Sequence, residues 1–434
     1  MIESKLKKVN SIWFDEIPEN WSFVKLKYMI EFLNGFAFKS DDFEDDGTSI
    51  VRIGDINSQI DVENCKKVDL KKYPNISSAK INKGDILIAM TGATIGKNAQ
   101  YLQNEEIYAN QRVGIIRSNT DFSQNYLRYV INTFELSEYI RLLCSGSAQE
   151  NISGSQISDF IIPVPPLSEQ QKISAFLDRK TAQIDTIIEK KQKLLQLLDE
   201  KKKSVINEAV TKGLNPNVPI KNVIEDWFQE IPAHWKNLKL KWVSEIYAGG
   251  TPSTSNEDYW ENGTIPWLNS GEVNKGTITS STNYISQLGF NNSSAKWIPK
   301  KSILIALAGQ GKTRGTVAKL EIQATCNQSL GVIVPKVDEL DYEFLYYWLD
   351  RNYLNIRSLS GLDRRDGLNL QMIGDFSIPL PPIEEQKAIS IFLSLKDEKF
   401  RILCNKIETQ IAKLQEYRQS IISEAVTGKI LVSE

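Results

Sequence analysis

Few residues of this 434-residue chain are arranged for catalysis, and each arrangement that suggests it fails on inspection of its neighbours. The sole histidine, His234, lies in the string IPAHW, and the related earlier string IPENW has Asn20 at that place. A position that accepts either residue belongs to a turn or surface. It is not a general base, so Ser-His-Asp catalysis, HExxH zinc hydrolysis and most His-ligated metal sites are set aside. Cys65, Cys144, Cys326 and Cys404 form no CxxC pair, suggest neither a disulfide framework nor a zinc site, and read as small buried thiols. ALAGQGKT, from Ala306 to Thr313, imitates a phosphate-binding loop. The pattern GxxxxGK[ST] requires glycine where Ala306 stands and a helix afterwards, whereas the following RGTVAKLEI reads as a strand. No bound metal or nucleotide is expected, and the chemistry left to the chain is binding.

The elements that would position a binding surface occur twice. VPPLSEQQKISAFL, ending at Leu177, returns as LPPIEEQKAISIFL, ending at Leu393, and SVINEAVT from Ser204 returns as SIISEAVT from Ser420, both at an offset of 216 residues. WFDEIPENW from Trp13 returns as WFQEIPAHW from Trp227, at an offset of 214. Solenoid units run to about 20–50 residues, so this period marks a duplicated domain pair. The helical segments match closely and the stretches between them hardly match. With 41% hydrophobic residues and a net charge of −2, the composition is that of an ordinary globular chain of two to four domains. There is no run of about 18 apolar residues, and MIESKLKKVN lacks the apolar core of a signal peptide, so a cytoplasmic protein without a membrane segment is expected.

Within each copy, short apolar runs bounded by Gly, Asn, Asp and Pro read as strands: SIVRIGDI (49–56), GDILIAM (84–90), VGIIRS (113–118), SILIALAG (302–309) and SLGVIVP (329–335). Residues 125–143 and 342–359 carry apolar residues at helical spacing. The predicted class is α+β, with two mixed α/β globules of about 150 residues. FIIPVPP and FSIPLPP close the globules, and a long helix follows each, with Ser168 as N-cap and Glu169 in the first turn of the first one. Ile173, Leu177, Ile184, Ile187, Leu194, Leu198 and Val205 fall on positions of a register that alternates steps of three and four, as do Ile389, Leu393, Phe400, Leu403, Ile407, Leu414 and Ile421 in the copy. This is a coiled-coil seam, interrupted by Lys180, Lys191 and Lys201. From Ser168 to Thr211 such a helix is about 65 Å long, with Gly213 and Gly428 stopping the two helices. A stripe that long cannot be buried on its own globule, so the two helices are expected to pair antiparallel, giving a dumbbell with an approximate internal twofold. The expected boundaries are residues 1–162 for the first globule, 163–214 for the first helix, 215–378 for the second globule and 379–434 for the second helix.

Several strings together resemble the DNA-specificity subunits of Type I restriction-modification systems. They are GGTPSTSNEDYWENGTIPWLNSGEV from Gly249, its looser counterpart NGFAFKSDDFEDDGTSIVRIGDI from Asn34, ANQRVGII with CNQSLGVIV, and the helix starts PPLSEQQKI and PPIEEQKAI. The resemblance spans both copies. It implies that the globules are target recognition domains reading two parts of a bipartite site in double-stranded DNA. It also implies that the helices set the spacing and dock two methyltransferase subunits and, through them, restriction/translocase subunits. A non-catalytic chain without its own cofactor is implied, with S-adenosylmethionine, ATP and magnesium used by the partners. Neither a cofactor loop nor an NPPY-like or DPPY-like tetrapeptide is present. A specificity subunit for a fused nuclease-methyltransferase, and a scaffold that binds no DNA, remain as alternative readings.

On that resemblance, candidate DNA-contacting residues sit in two loops of each copy. After GDILIAM come Thr91, Thr94 and Lys97, and the counterpart AGQGKTRG supplies Gln310, Lys312, Thr313 and Arg314. Arg and Gln pair bidentately with guanine and adenine edges, although an ordinary solvated turn would have a similar composition. The second loop holds Gln149 and Asn151 in one copy and Arg364 and Arg365 in the other. Asn110 and Gln111 recur as Asn327 and Gln328, and recurrence in both copies suits a structural role better than half-site reading. Lys201, Lys202 and Lys203 read as a solvated face with methyltransferase docking as the alternative, and Trp260 and Trp267 as core anchors.

Overall fold

The computed structural model describes residues 5–57, 59–119, 121–145, 150–309, 312–359, 367–430 and 432. They divide into two compact units, Met1–Gln192 with Glu408–Glu434, and Lys193–Ile407. These limits fall inside the long helices, so each unit combines one globule with part of both helices.

In the first unit, an antiparallel sheet runs in the order Ile30–Asn34, Val113–Ser118, Ile86–Ala89, Asn98–Gln100. The apolar run of GDILIAM is buried on both faces because strand side chains alternate. Ile86 and Ile88, with Ile116, enter a core shared with the helices, while Leu87 and Ala89, with Ile115, enter a second core against another sheet. That other sheet has the order Lys66–Val68, Thr48–Val51, Ile107–Ala109, Lys80–Ile81, and its central pair is parallel. The second unit repeats the plan. Ser244–Ala248, Leu330–Pro335, Ser302–Ala306 and Val317–Leu320 follow the same order, with Thr277–Ile278 added at the edge. Ile303, Ile305 and Ile333 face one core, and Leu304, Ala306 and Val332 the other.

Three local expectations need correction. The strand expected over 49–56 ends at Val51, because Arg52 and Asp55 close a 3-10 turn in which the Asp55 carboxylate accepts from the Arg52 N–H at 2.9 Å. The helical spacing over 125–143 belongs to two helices, Gln124–Ile131 and Phe134–Cys144, with Thr133 capping the second through the Leu136 N–H. The same break at Asn352 divides Tyr342–Arg351 from Tyr353–Ser358. The first long helix spans Leu167–Lys212, which places Ser168 inside its first turn; the Glu169 and Gln170 N–H groups donate to the Pro166 carbonyl.

The second long helix spans Ile383–Val426. Gly213 and Gly428 follow the two helices with φ of 76° and 74°, the left-handed stop that glycine adopts most readily. The stripe expected to be too long for its globule is buried there at its start. Ile173, Leu177 and Ile184 join the first unit's core, and Ile389 and Leu393 join the second's. Within the first unit the helices run antiparallel: Asp185 pairs with Arg418 at 2.8 Å, and Lys191 donates to Gln410 at 2.7 Å. Lys202 pairs with Asp397 at 3.3 Å within the second unit. Along the seam Ile407 and Ile421 are buried and Leu198, Val205, Phe400 and Leu414 partly so, whereas Ile187, Leu194 and Leu403 remain 44–46% exposed. Two helices side by side leave part of each seam in solvent where no globule covers it. Among the described residues no helix is long and apolar enough to cross a membrane.

Candidate nucleic-acid interface

The two candidate loops of the first unit, more than 50 residues apart in sequence, meet in space. Thr91 and Asn151 form an antiparallel bridge, the Gly92 N–H donates to the Glu150 carbonyl at 3.0 Å, and the Ile152 N–H donates to the Met90 carbonyl at 2.9 Å. The second unit makes the corresponding bond at 2.8 Å, from the Leu368 N–H to the Leu307 carbonyl. A further pair fixes the loop ends in register, with Gly96 N–H to Ala89 carbonyl and Gly315 N–H to Ala306 carbonyl, both at 2.9 Å. Each unit therefore holds a variable loop against the return of a second one on a common backbone frame.

Side chains on this frame differ in availability. Lys97 and Asn151 are exposed. The Thr91 and Thr94 hydroxyls, expected to face a ligand, are covered and take no partner among the described residues. Lys312 is exposed, and its carbonyl accepts from the Tyr353 hydroxyl at 2.8 Å and the Thr316 hydroxyl at 2.9 Å, which fixes the loop backbone there. Thr313 and Arg314 are half-buried. Gln149, Gln310, Arg364 and Arg365 lie outside the described residues. Beside the first unit's loop, hydrogen bonding to the Arg141 guanidinium holds the Glu138 carboxyl below its ordinary value. Burial pushes the neighbouring Cys144 thiol up.

Asn110 and Asn327 occupy matching structural positions: their backbone N–H groups each donate at 2.9 Å, to Val51 and Leu268. Each backs onto a glycine that has no room for a side chain. A Cβ at Gly35 would lie 2.0 Å from the Asn110 carbonyl oxygen, and one at Gly249 would lie 2.1 Å from that of Cys326. Trp267, 8% exposed, donates its indole N–H to the Gly250 carbonyl and meets Trp260 edge to face, as a core anchor would. Cys65, Cys144 and Cys326 are buried, but Cys404 is half-buried on the second helix, departing from the expectation for all four. After the P-loop-like string the chain enters the strand Val317–Leu320, so the helix that loop requires is not formed. The His234 ring donates a 2.8 Å hydrogen bond to the Glu385 carboxylate, just as Asn20 donates to Glu169 at 3.3 Å, joining the turn to the start of a long helix.

Two residues escaped sequence reasoning. Gln170 and Gln386 are 1% and 0% exposed and tie each helix start to its globule. Gln170 accepts from the Ser123 N–H and donates to the Pro165 carbonyl; Gln386 accepts from the Asp341 N–H and donates to the Glu339 and Pro381 carbonyls, all at 2.8–2.9 Å. The signal was present, since both glutamines stand in the repeated strings at the shared 216-residue offset.

Two copies of one α+β unit, each presenting paired loops on an invariant frame and each rooted in a long helix, define a tandem recognition protein. A family model described as the Type I restriction modification DNA specificity domain matches residues 18–196 and 232–413. The chain belongs to that family and is a non-catalytic specificity subunit with DNA-recognition domains. The putative type I restriction enzyme MjaX specificity subunit of Methanocaldococcus jannaschii is 27% identical over 427 residues, covering 96% of this chain and 95% of the relative. The EcoBI specificity subunit of Escherichia coli is 25% identical over 439 residues, covering 95% and 87%. The fold is also that of a solved chain from work on the structural basis of complex assembly and conformational transition of the type I R-M system. That chain has a TM-score of 0.74 and 19% identity, with 95% of this chain and 99% of that one covered.

Proposed function

We propose that the chain reads a bipartite site in double-stranded DNA, one part with each unit, and holds two methyltransferase subunits that modify it. The observation that carries this reading is the repeated loop juxtaposition. The backbone bonds from Ile152 to Met90 and from Leu368 to Leu307 correspond, while the loop residues beside them differ. A common frame with unlike side chains suits two recognition surfaces for two different sequences. Lys97 and Asn151 are the contacts assigned to the first unit, and Lys312 with Arg364 and Arg365 to the second. The globules are assigned to 1–162 and 215–378 and the helices to 163–214 and 379–434.

Each methyltransferase would swing its target adenine out of the base stack to reach it. Restriction/translocase subunits join through the methyltransferases, the partners use S-adenosylmethionine, ATP and magnesium, and the assembly works in the cytoplasm. The names of the curated relatives as type I restriction enzyme specificity subunits support this reading. Methylome sequencing of a host expressing the chain with its methyltransferase tests it: a two-part methylated motif that disappears when this gene is deleted is expected. Absence of any new motif, together with no gel shift of the motif-bearing duplex in the presence of the methyltransferase, would refute it.

A further inference from the structure

In the second unit a groove of about 880 Å³ opens beside the candidate recognition loop. Its floor includes the buried Ile206 and Val317, and Leu354, 73% exposed, stands at its edge. Lys312, Gly315 and Thr316 of the loop itself form one wall, and the first long helix contributes Lys203 and Asn207 opposite. Three cations line it, Lys203, Lys312 and Arg351, against the single carboxylate of Asp350. Arg351 is oriented by a 2.9 Å bond from Nε to the Asn207 side chain, which leaves its terminal nitrogens for another acceptor. Lys203 shares its charge with Asp199 at 2.7 Å on the exposed helix surface.

The first unit has no counterpart of this charge. The 216-residue offset places Gln419 at Lys203; register from Gly96 and Gly315 places Ala93 at Lys312; and counting from the helix caps Ser123 and Asp341 places Thr133 at Arg351. There the helix closes onto the globule instead. Gln419 donates to the Asn132 carbonyl at 2.8 Å, and the Ser423 hydroxyl donates to Glu135 at 3.0 Å. A groove continuous with a recognition loop, cationic and floored by apolar side chains, has the character of a seat for a sugar–phosphate strand: charge for the phosphates and apolar surface for the deoxyribose faces.

We propose that this groove holds the DNA backbone beside the part of the site read by the second unit, with Lys203, Lys312 and Arg351 as phosphate-positioning residues. The two parts of the site are then gripped unequally, one by its loops and the other by its loops and this added backbone clamp. The proposal rests on the DNA-reading function above. Its test uses the full chain with its methyltransferase and a duplex carrying the methylation-mapped motif, with affinity measured across a salt series. Each neutralised phosphate adds about 0.9 to the slope of log affinity against log salt. The first-unit residues transplanted here, Lys203→Gln, Lys312→Ala and Arg351→Thr together, should lower that slope by about 2–3. Lys312→Ala alone should lower it by about 1 and Lys312→Arg should restore it, which keeps the test decisive if the triple variant misfolds. Phosphate-ethylation interference should be lost beside one part of the motif only. An unchanged slope in the folded variants overturns the clamp and leaves the DNA-reading function standing, as does weakened methyltransferase retention with the slope intact. Failure of the wild-type complex to bind the motif at any salt would remove both.

Discussion

A methyl group added to Gly249 would press on the Cys326 carbonyl oxygen, and backbone in a paired sheet cannot yield as a flexible side chain can. Gly249→Ala should therefore cost about 1–3 kcal/mol, seen as a lower urea midpoint with an unchanged slope. Tyr353→Phe tests the loop support more gently. It removes the hydroxyl that donates to the Lys312 carbonyl and accepts from the Arg357 guanidinium, two hydrogen bonds at about 1 kcal/mol each. Affinity for the motif should fall about fivefold in protein that is still folded at the assay temperature; full affinity despite the lost stability would mean the tyrosine serves the fold alone. Residue types foretold side-chain exposure in these loops unevenly. Lys312 and Asn151 could be picked from composition, but sequence gave no sign that the Thr91 and Thr94 hydroxyls would turn inward, because a hydroxyl's direction follows from backbone geometry that only the folded loop sets.

Among the elements, the long helices and the central strands were legible because a strong periodicity specifies each. Their ends were not. Ser168 is a good capping residue by type, yet the helix begins one residue before it, where the Pro166 carbonyl accepts the first bonds. The split at Asn132 and Thr133 was hidden because apolar residues continue in helical register across it, and only the cap bonds reveal the turn. Along the seam the first turns serve the globules, and Ile187, Leu194 and Leu403 stay partly in solvent. Joining helix to globule depends on the buried glutamines. Gln386→Leu would leave the Asp341 N–H and two carbonyls without their partner, at about 1–3 kcal/mol for each group that water cannot reach. Hydrogen exchange should quicken first at the start of the second helix, ahead of the central strands; uniform quickening would argue against a local anchor.

For the molecule as a whole, the duplication decides which features belong to the frame and which to recognition. If the helices fix the separation of the two parts of the DNA site, four residues inserted at matched positions of both should lengthen the unread spacer. One helical turn adds about 5.4 Å and one base pair about 3.4 Å, so methylome sequencing should show one or two extra spacer base pairs with both read sequences unchanged. Altered bases in the read parts would contradict that role. Gln170 and Gln386 extend the same division of labour to inheritance. Among the described residues their side-chain amides bond only main-chain N–H and carbonyl groups, which a sequence without proline at the two N–H positions provides. A globule of quite different side chains could be grafted onto the same helix and meet the same socket. New DNA vocabulary can then arise by exchange of a reading head without renegotiating the junction that supports it.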